Sequence, residues 1–396
     1  MENKNIFLNH LGQTTKHPLL IEIDSAKGIY IIDKKGKRYM DMISGLCVNN
    51  LGHNYPSVQS AIKTQIDRHS HVMVYGEFVQ DAQLDLAREL DALLPNNLNC
   101  IYPVNSGTEA NEAAIKLCKS YTERSEIIAF KGAYHGSSNG SLSISSNDER
   151  KERFQPLLPK IKFIEINQVE QLNWITEKTA GVFLETVQGD AGVIVPSNEF
   201  MLKLRQKCKA TGTLLVLDEI QCGLGRTGKH FAFQHFDIEP DILTLGKSLG
   251  GGLPIGALVS NKNILDVFST KPALGHITTF GGHPVNCAAA AAFCKALKTD
   301  VDLKEVDRLG QLLAEKISSH PEISDSRHLG MMFAFDMKSP ERVAKVVHRC
   351  LEKGIISFWF LSHPNSFRLS PPLIISEKEI QLAGELIYEA IDESIL

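Results

Sequence analysis

Asp218 and Lys247 stand out because each follows a short apolar run of the kind that folds into a buried strand. Asp218 ends Leu-Leu-Val-Leu, and an unpaired carboxylate in such a place costs several kcal/mol, so it needs a cationic or donor partner. Lys247 lies among Gly246, Gly250, Gly251 and Gly252, a crowded setting where desolvation favours a neutral, nucleophilic amine. Each residue alone also has an ordinary reading, Asp218 as a turn cap and Lys247 as a surface lysine on a loop. Together, one strand and one crossover apart, they supply what an aldehyde cofactor requires. The lysine can form a Schiff base, and the carboxylate can face a protonated ring nitrogen.

An anion site is the next candidate. Ser106 precedes a stretch in which Ala110, Ala113, Ala114, Leu117, Cys118 and Tyr121 recur at helical spacing, and Glu109 completes a capping box. Backbone N–H groups at Gly107 and Thr108, two hydroxyls and the helix dipole favour a phosphate, although an ordinary capped helix carries the same sequence. Other polar residues also follow strand-like runs. Tyr134, His135 and Ser137 come after 127–130, Glu185 and Gln188 after 181–184, and Ile220 and Gln221 after 214–217. In an open α/β sheet these ends converge on one crevice.

One glycine pattern is a decoy. Gly223-Leu-Gly225-Arg-Thr-Gly228-Lys229 nearly matches a P-loop, but His230 stands where the metal-binding Ser or Thr belongs. No long amphipathic helix follows it, so a nucleotide reading is rejected.

The elements that must position these groups follow from pattern. Continuous apolar runs at 127–130, 181–184, 214–217, Ile242–Leu245 and 256–259 suit strands buried on both faces of a parallel sheet. Between two of them, Ser197 caps a helix with a stripe of Phe200, Met201, Leu204 and Cys208 that stops at Thr211-Gly212. After residue 300 the pattern changes. Helices are predicted at Leu303–Ser318, after Ser339-Pro340, and after Ser376 with Glu379 in a capping box. Strands are predicted at 329–336, 355–358 and 367–369. A hairpin at 28–33 joins this smaller α+β part, so the large domain is inserted between two pieces of the small one. The expected division is 1–50, an N-terminal segment of the small domain; 51–290, the large domain; and 291–396, the C-terminal small domain.

Composition narrows the class. With 396 residues the chain exceeds one compact core, and 42 Lys+Arg against 46 Asp+Glu give a net charge of −4, which argues against a nucleic-acid partner. No apolar run reaches the roughly 18 residues of a membrane helix. The eight cysteines are scattered without a CxxC pair, as expected of a reducing compartment with neither disulfides nor a metal site. A cytoplasmic protein without a membrane partner is expected.

The stretches GIYIIDKKGKRYMDMISG, NNLGHNYP, VNSGTEANEAAIK, AYHG, ETVQGDAG, LLVLDEIQCGLGRTGK, DILTLGKSLGGGLPIGA and TTFGGHPVNCAAA, in this order, resemble the class III pyridoxal-phosphate-dependent aminotransferases of fold type I. The resemblance covers residues 28–380 and is strongest to the acetylornithine and ornithine aminotransferase branch. It implies an α/β fold, with a large domain around a mainly parallel seven-stranded sheet and a smaller α+β domain. It also implies a homodimer with shared active sites that moves an amino group from an ornithine-like or ω-amino donor to a 2-oxo acid, 2-oxoglutarate or pyruvate. On this resemblance Lys247 forms the Schiff base and shuttles the proton, and Asp218 binds the ring nitrogen. Tyr134 stacks on one ring face and Ile220 packs on the other, while Gln221 reaches the 3′-oxygen. Ser106, Gly107 and Thr108 hold the phosphate, and Thr279 reaches it from the neighbouring subunit. Arg368 binds the substrate carboxylate, and Glu185 pairs with that arginine when the substrate end there is uncharged. His135, Arg226 and His53 lie in family motifs beside glycines and read as mainly structural, with His135 next to the cofactor.

Two departures bear on substrate. Acetylornithine and ornithine enzymes carry a second arginine directly after the aromatic-x-Gly element, where this chain has Ser137. The segment Ser357-Phe358-Trp359-Phe360-Leu361 is also more aromatic than that branch shows. Without the second arginine, the expected donor is an amine whose far end is not strictly a second carboxylate. Rival readings are a decarboxylase or aminomutase on the same fold, and a binding protein without turnover. The last is disfavoured because Lys247, Asp218 and Tyr134 are all retained.

Overall fold

The computed structural model describes residues 3–270 and 272–395. A seven-stranded sheet runs through it in the order Cys100–Val104, Gly256–Ser260, Ile242–Leu245, Leu214–Asp218, Thr179–Glu185, Glu126–Phe130, Ile161–Ile164. Gly256–Ser260 runs antiparallel to both neighbours, and the other pairings are parallel. Every expected apolar run is a strand, and the central ones are buried along their whole length. Each such side chain withdrawn from water contributes about 1.5–3 kcal/mol. The edge strand Ile161–Ile164 was not anticipated. Its alternation of half-buried residues with exposed Lys162 hides it from a search for continuous apolar runs.

The crossover helix Asn198–Thr211 follows its sequence closely. Ser197 accepts from the Phe200 N–H, and Gly212 ends the helix at φ +63°. The helix Gly107–Thr122 is capped by Ser106, but Glu109 departs from the expected box. Its carboxylate reaches back to the N–H and side-chain amide of Asn105 and not to Ser106.

The terminal parts meet as expected. Ile23–Lys27, Tyr30–Asp33 and Arg38–Asp41 form a meander, and Ile355–Ile356 adds to it in parallel. A second sheet holds Asp325–Leu329, Met332–Asp336, Ser366–Leu369 and Phe358–Trp359. The single strand expected at 329–336 is therefore half of a hairpin. Gly330 turns it at φ +54° against the backbone of Thr227 and Gly228, where no Cβ fits. The division expected at residue 290 falls inside the continuous helix Pro284–Asp300.

Candidate active site

Three neighbouring strands end in register, bringing Glu185 beside Asp218 and Asp218 beside Thr244. The crevice beyond these ends collects the polar residues expected there. Asp218 is buried and fully engaged. Its Oδ2 accepts from His135 Nδ1 at 2.7 Å and from Asn111 Nδ2 at 2.8 Å, and its Oδ1 accepts from the Ile220 N–H at 3.0 Å. His135 also donates its backbone N–H to Ser145, while its Nε2 is buried without a partner among the described residues. Burial pushes the His135 imidazole down, but the Asp218 hydrogen bond and charge outweigh it and hold its pKa above the usual value.

Lys247 begins the turn after Ile242–Leu245 and sits at φ +44°, in the left-handed region that a residue with a side chain rarely adopts. Its Nζ donates to Gln221 Oε1 at 3.2 Å. Burial is the largest influence and lowers the Lys247 pKa; Cys47 opposes it, the Arg368 charge adds to it, and Glu185 and Asp218 oppose it more weakly. The other end of the Gln221 amide, Nε2, is buried without a partner among the described residues. A donor so placed awaits an acceptor.

The helix N-terminus at 106–108 closes the crevice. A Cβ on Gly107 would stand 2.7 Å from the Ile220 side chain, so this position lets the turn approach Ile220. The Thr108 hydroxyl bonds Ser138 Oγ at 2.7 Å. Tyr134 donates its N–H to Glu185 at 2.9 Å, exposes its ring, and meets Ser137 Oγ through its hydroxyl at 3.2 Å.

Glu185 accepts from the N–H groups of Tyr134 and Gly189, and burial pushes its pKa up to about 7. It makes no ion pair with Arg368 among the described residues. Arg368, on Ser366–Leu369, is buried with its guanidinium 4.8 Å from the Phe360 ring centroid and without a carboxylate partner among the described residues. The aromatic segment noted in the sequence thus supplies a cation–π platform for that arginine. Thr279 is exposed and makes no hydrogen bond to the 106–108 turn within this chain, whereas its neighbour Thr278 accepts from Asn105.

Arg226 and His53 are structural. Arg226 is fully buried and donates to Met331 O, Pro371 O, Ser44 Oγ and Asn50 Oδ1, and His53 pairs with Asp41 at 2.9 Å. The glycine pattern around Arg226 makes the turn that delivers it inward. Sequence reading missed Asn111, which bonds Asp218, Thr244 and His135 O from a fully buried position. Its only signal was an amide among the alanines of an apolar stripe.

Comparison with known proteins agrees with this geometry. Residues 11–391 match the family model for aminotransferase class-III. An acetylornithine aminotransferase of Methanopyrus kandleri is 35% identical over 390 residues, 97% of each chain. A LysW-aminoadipate semialdehyde/glutamate semialdehyde transaminase of Sulfurisphaera tokodaii is 37% identical over 385 residues, 94% of this chain and 95% of its own. Among solved structures, the ornithine aminotransferase of Toxoplasma gondii superposes with a TM-score of 0.92 at 28% identity, covering 98% of this chain and 94% of that one. A transaminase of the marine bacterium Virgibacillus gives 0.92 at 26%, with 99% and 98% covered.

Proposed function

Because the chain belongs to the class III aminotransferases, we propose that it moves an amino group from an ornithine-like or ω-amino donor to 2-oxoglutarate or pyruvate, as a cytoplasmic homodimer. One observation carries the chemistry: the half-buried Lys247, its amine of lowered pKa held against an amide with a free donor, in the same crevice as the fixed carboxylate of Asp218. These residues fit pyridoxal phosphate, the cofactor of this family. When bound, pyridoxal phosphate supplies an aldehyde for a covalent link and a ring that accepts the electron pair released as the substrate loses a proton.

The chain's own residues do the rest. Burial lowers the pKa of Lys247 and so favours its neutral, nucleophilic form; Lys247 Nζ serves as nucleophile and afterwards carries the proton. Asp218 presents a fixed negative charge to the ring nitrogen, oriented by His135, Asn111 and the Ile220 N–H. Gln221 Nε2 would donate to the ring oxygen. Ser106, Gly107 and Thr108 would receive the phosphate at the N-terminus of a 16-residue helix. Tyr134 and Ile220 would hold the ring. Arg368, buried without an anionic partner among the described residues, receives the substrate carboxylate, and Glu185 is a group of the same crevice whose pKa burial pushes up to about 7. Thr279 reaches the phosphate of the opposite protomer.

Steady-state kinetics over ornithine, N-acetylornithine, 4-aminobutyrate and simple ω-amines, each with 2-oxoglutarate and pyruvate, test the reading. Transfer of nitrogen to the 2-oxo acid supports it. Absence of nitrogen transfer from every donor, with carbon dioxide released in its place from those that carry a carboxylate, overturns it.

A further inference from the structure

Ser137 removed the arginine expected after the aromatic-x-Gly element, yet a different arginine stands beside it. Arg150 lies further along the same connection, with its guanidinium carbon 5.7 Å from the centroid of the Tyr134 ring. The hydroxyl of that same tyrosine meets Ser137 Oγ at 3.2 Å. Tyr134 is therefore the common neighbour of the serine and of Arg150.

The surroundings hold Arg150 in place without using its donors. Its backbone N–H donates to Asn147 Oδ1 at 3.2 Å, and Asn147 reaches Ser362 Oγ at 3.4 Å. Asp190 is the carboxylate nearest to it, with Oδ2 at 3.6 Å from Nη1, beyond hydrogen-bond reach. Both Asp190 oxygens already have partners, Oδ1 the Leu361 N–H at 3.2 Å and Oδ2 the Ser362 hydroxyl at 2.6 Å. Among the described residues the Arg150 side chain makes no hydrogen bond, and it is 28% exposed. Arg226 and Arg327 lack this freedom: Arg226 is bound to four oxygens, and Arg327 is clamped on Asp325 and Asp336. A planar fork of donors, stacked on an aromatic ring and unspent, is suited to bidentate capture of a carboxylate.

We propose that Arg150, together with Ser137, receives the carboxylate at the far end of the amino donor, which makes the preferred donor an ω-amino acid. This rests on the transaminase reading above and reverses the expectation drawn from Ser137 alone. Arg368 then remains available for the carboxylate of the 2-oxo acid, so the two arginines divide the two half-reactions.

Matched donors that differ only in the carboxylate test this. One pair is 5-aminopentanoate and pentylamine; the other is N-acetylornithine and N-acetylputrescine, with pyruvate as acceptor throughout. Wild type should prefer the carboxylated member, in kcat/KM, in at least one pair. Arg150→Ala should shrink that preference by about 10- to 100-fold, mostly through KM, the size expected for a lost charge-assisted hydrogen-bond pair. Arg150→Lys should restore part of it. Arg150→Gln repeats the measurement should the alanine variant misfold. A preference that survives in Arg150→Ala while the melting temperature falls would make Arg150 a structural clamp on Asp190 and overturn the proposal. So would a wild type that transfers nitrogen from both members of each pair equally. Nitrogen transfer from none of these amines, nor from any donor in the broader panel, would bring down the transaminase reading itself, and this inference with it.

Discussion

His135 donates from Nδ1 to Asp218 Oδ2 across 2.7 Å, with both side chains out of contact with water. A carboxylate can only accept, so the histidine tautomer is set by its partner. Asn111 and the Ile220 N–H take the remaining directions, and Asp218 has no freedom to turn away from the crevice. On the proposed reading, in which Asp218 serves the ring nitrogen of the cofactor, the histidine would act on the chemistry at one remove, by fixing that charge.

Asp218→Asn keeps the shape of this arrangement and removes its charge. The protein should fold and bind pyridoxal phosphate, while half-transamination slows by more than about tenfold, at least about 1.4 kcal/mol in barrier. Single-turnover spectroscopy reads this directly. A rate within tenfold of wild type excludes the assigned role for the carboxylate.

Lys247 combines a left-handed backbone, burial and a lowered pKa, a set of costs that the fold bears at one residue. Lys247→Ala should therefore retain the cofactor non-covalently and lose turnover. Borohydride treatment of wild type followed by peptide mapping should find the cofactor on Lys247. Finding it on another lysine refutes the assignment.

Glu219 is buried, accepts from the N–H groups of Ala232 and Phe233 and from the Thr186 hydroxyl, and burial pushes its pKa up to about 7. Its folded pKa lies above the unfolded value of 4.5, so the stability it contributes is fully present below 4.5 and is lost as pH rises through about 7. Glu219→Gln is permanently neutral and cannot incur that loss. Relative to wild type, the variant should gain stability between pH 4.5 and 8, by up to about 3 kcal/mol. Chemical denaturation of the two proteins across this range checks it. A constant difference would mean that Glu219 does not titrate there.

Much of this site was legible because its elements are local. Continuous apolar runs marked the strands, Ser106, Ser197 and Ser376 marked helix starts, and Asp218 and Lys247 followed strands whose order places them together. What escaped depends on contacts between segments far apart in the chain. Asn111 meets Asp218 only because a helix lies across the sheet at a particular height. Arg150 reaches Tyr134 only through a loop tied to Asn147, Ser362 and Asp190. The hairpin at Asp325–Leu329 and Met332–Asp336 escaped for another reason: its first strand, Asp-Ser-Arg-His-Leu, is too polar to read as buried.

The surface around Thr279 leads to the last prediction. Leu274, Ile277 and Phe280 are all exposed, and Thr279 lies between the last two in the chain. Fully burying one such side chain contributes about 1.5–3 kcal/mol, so covering the group with a second protomer supplies a large part of a stable interface. Sedimentation equilibrium at micromolar concentration should find a dimer. Phe280→Glu places a charge in that interface at a cost of several kcal/mol and should give monomers with weakened cofactor retention. Thr279→Ala should leave the mass dimeric and still release pyridoxal phosphate more readily, because on the proposed reading it would remove one phosphate contact supplied across the interface. A monomeric wild type that keeps its cofactor would rule out the shared site. Phe280→Glu monomers that retain the cofactor as tightly as the dimer would do the same.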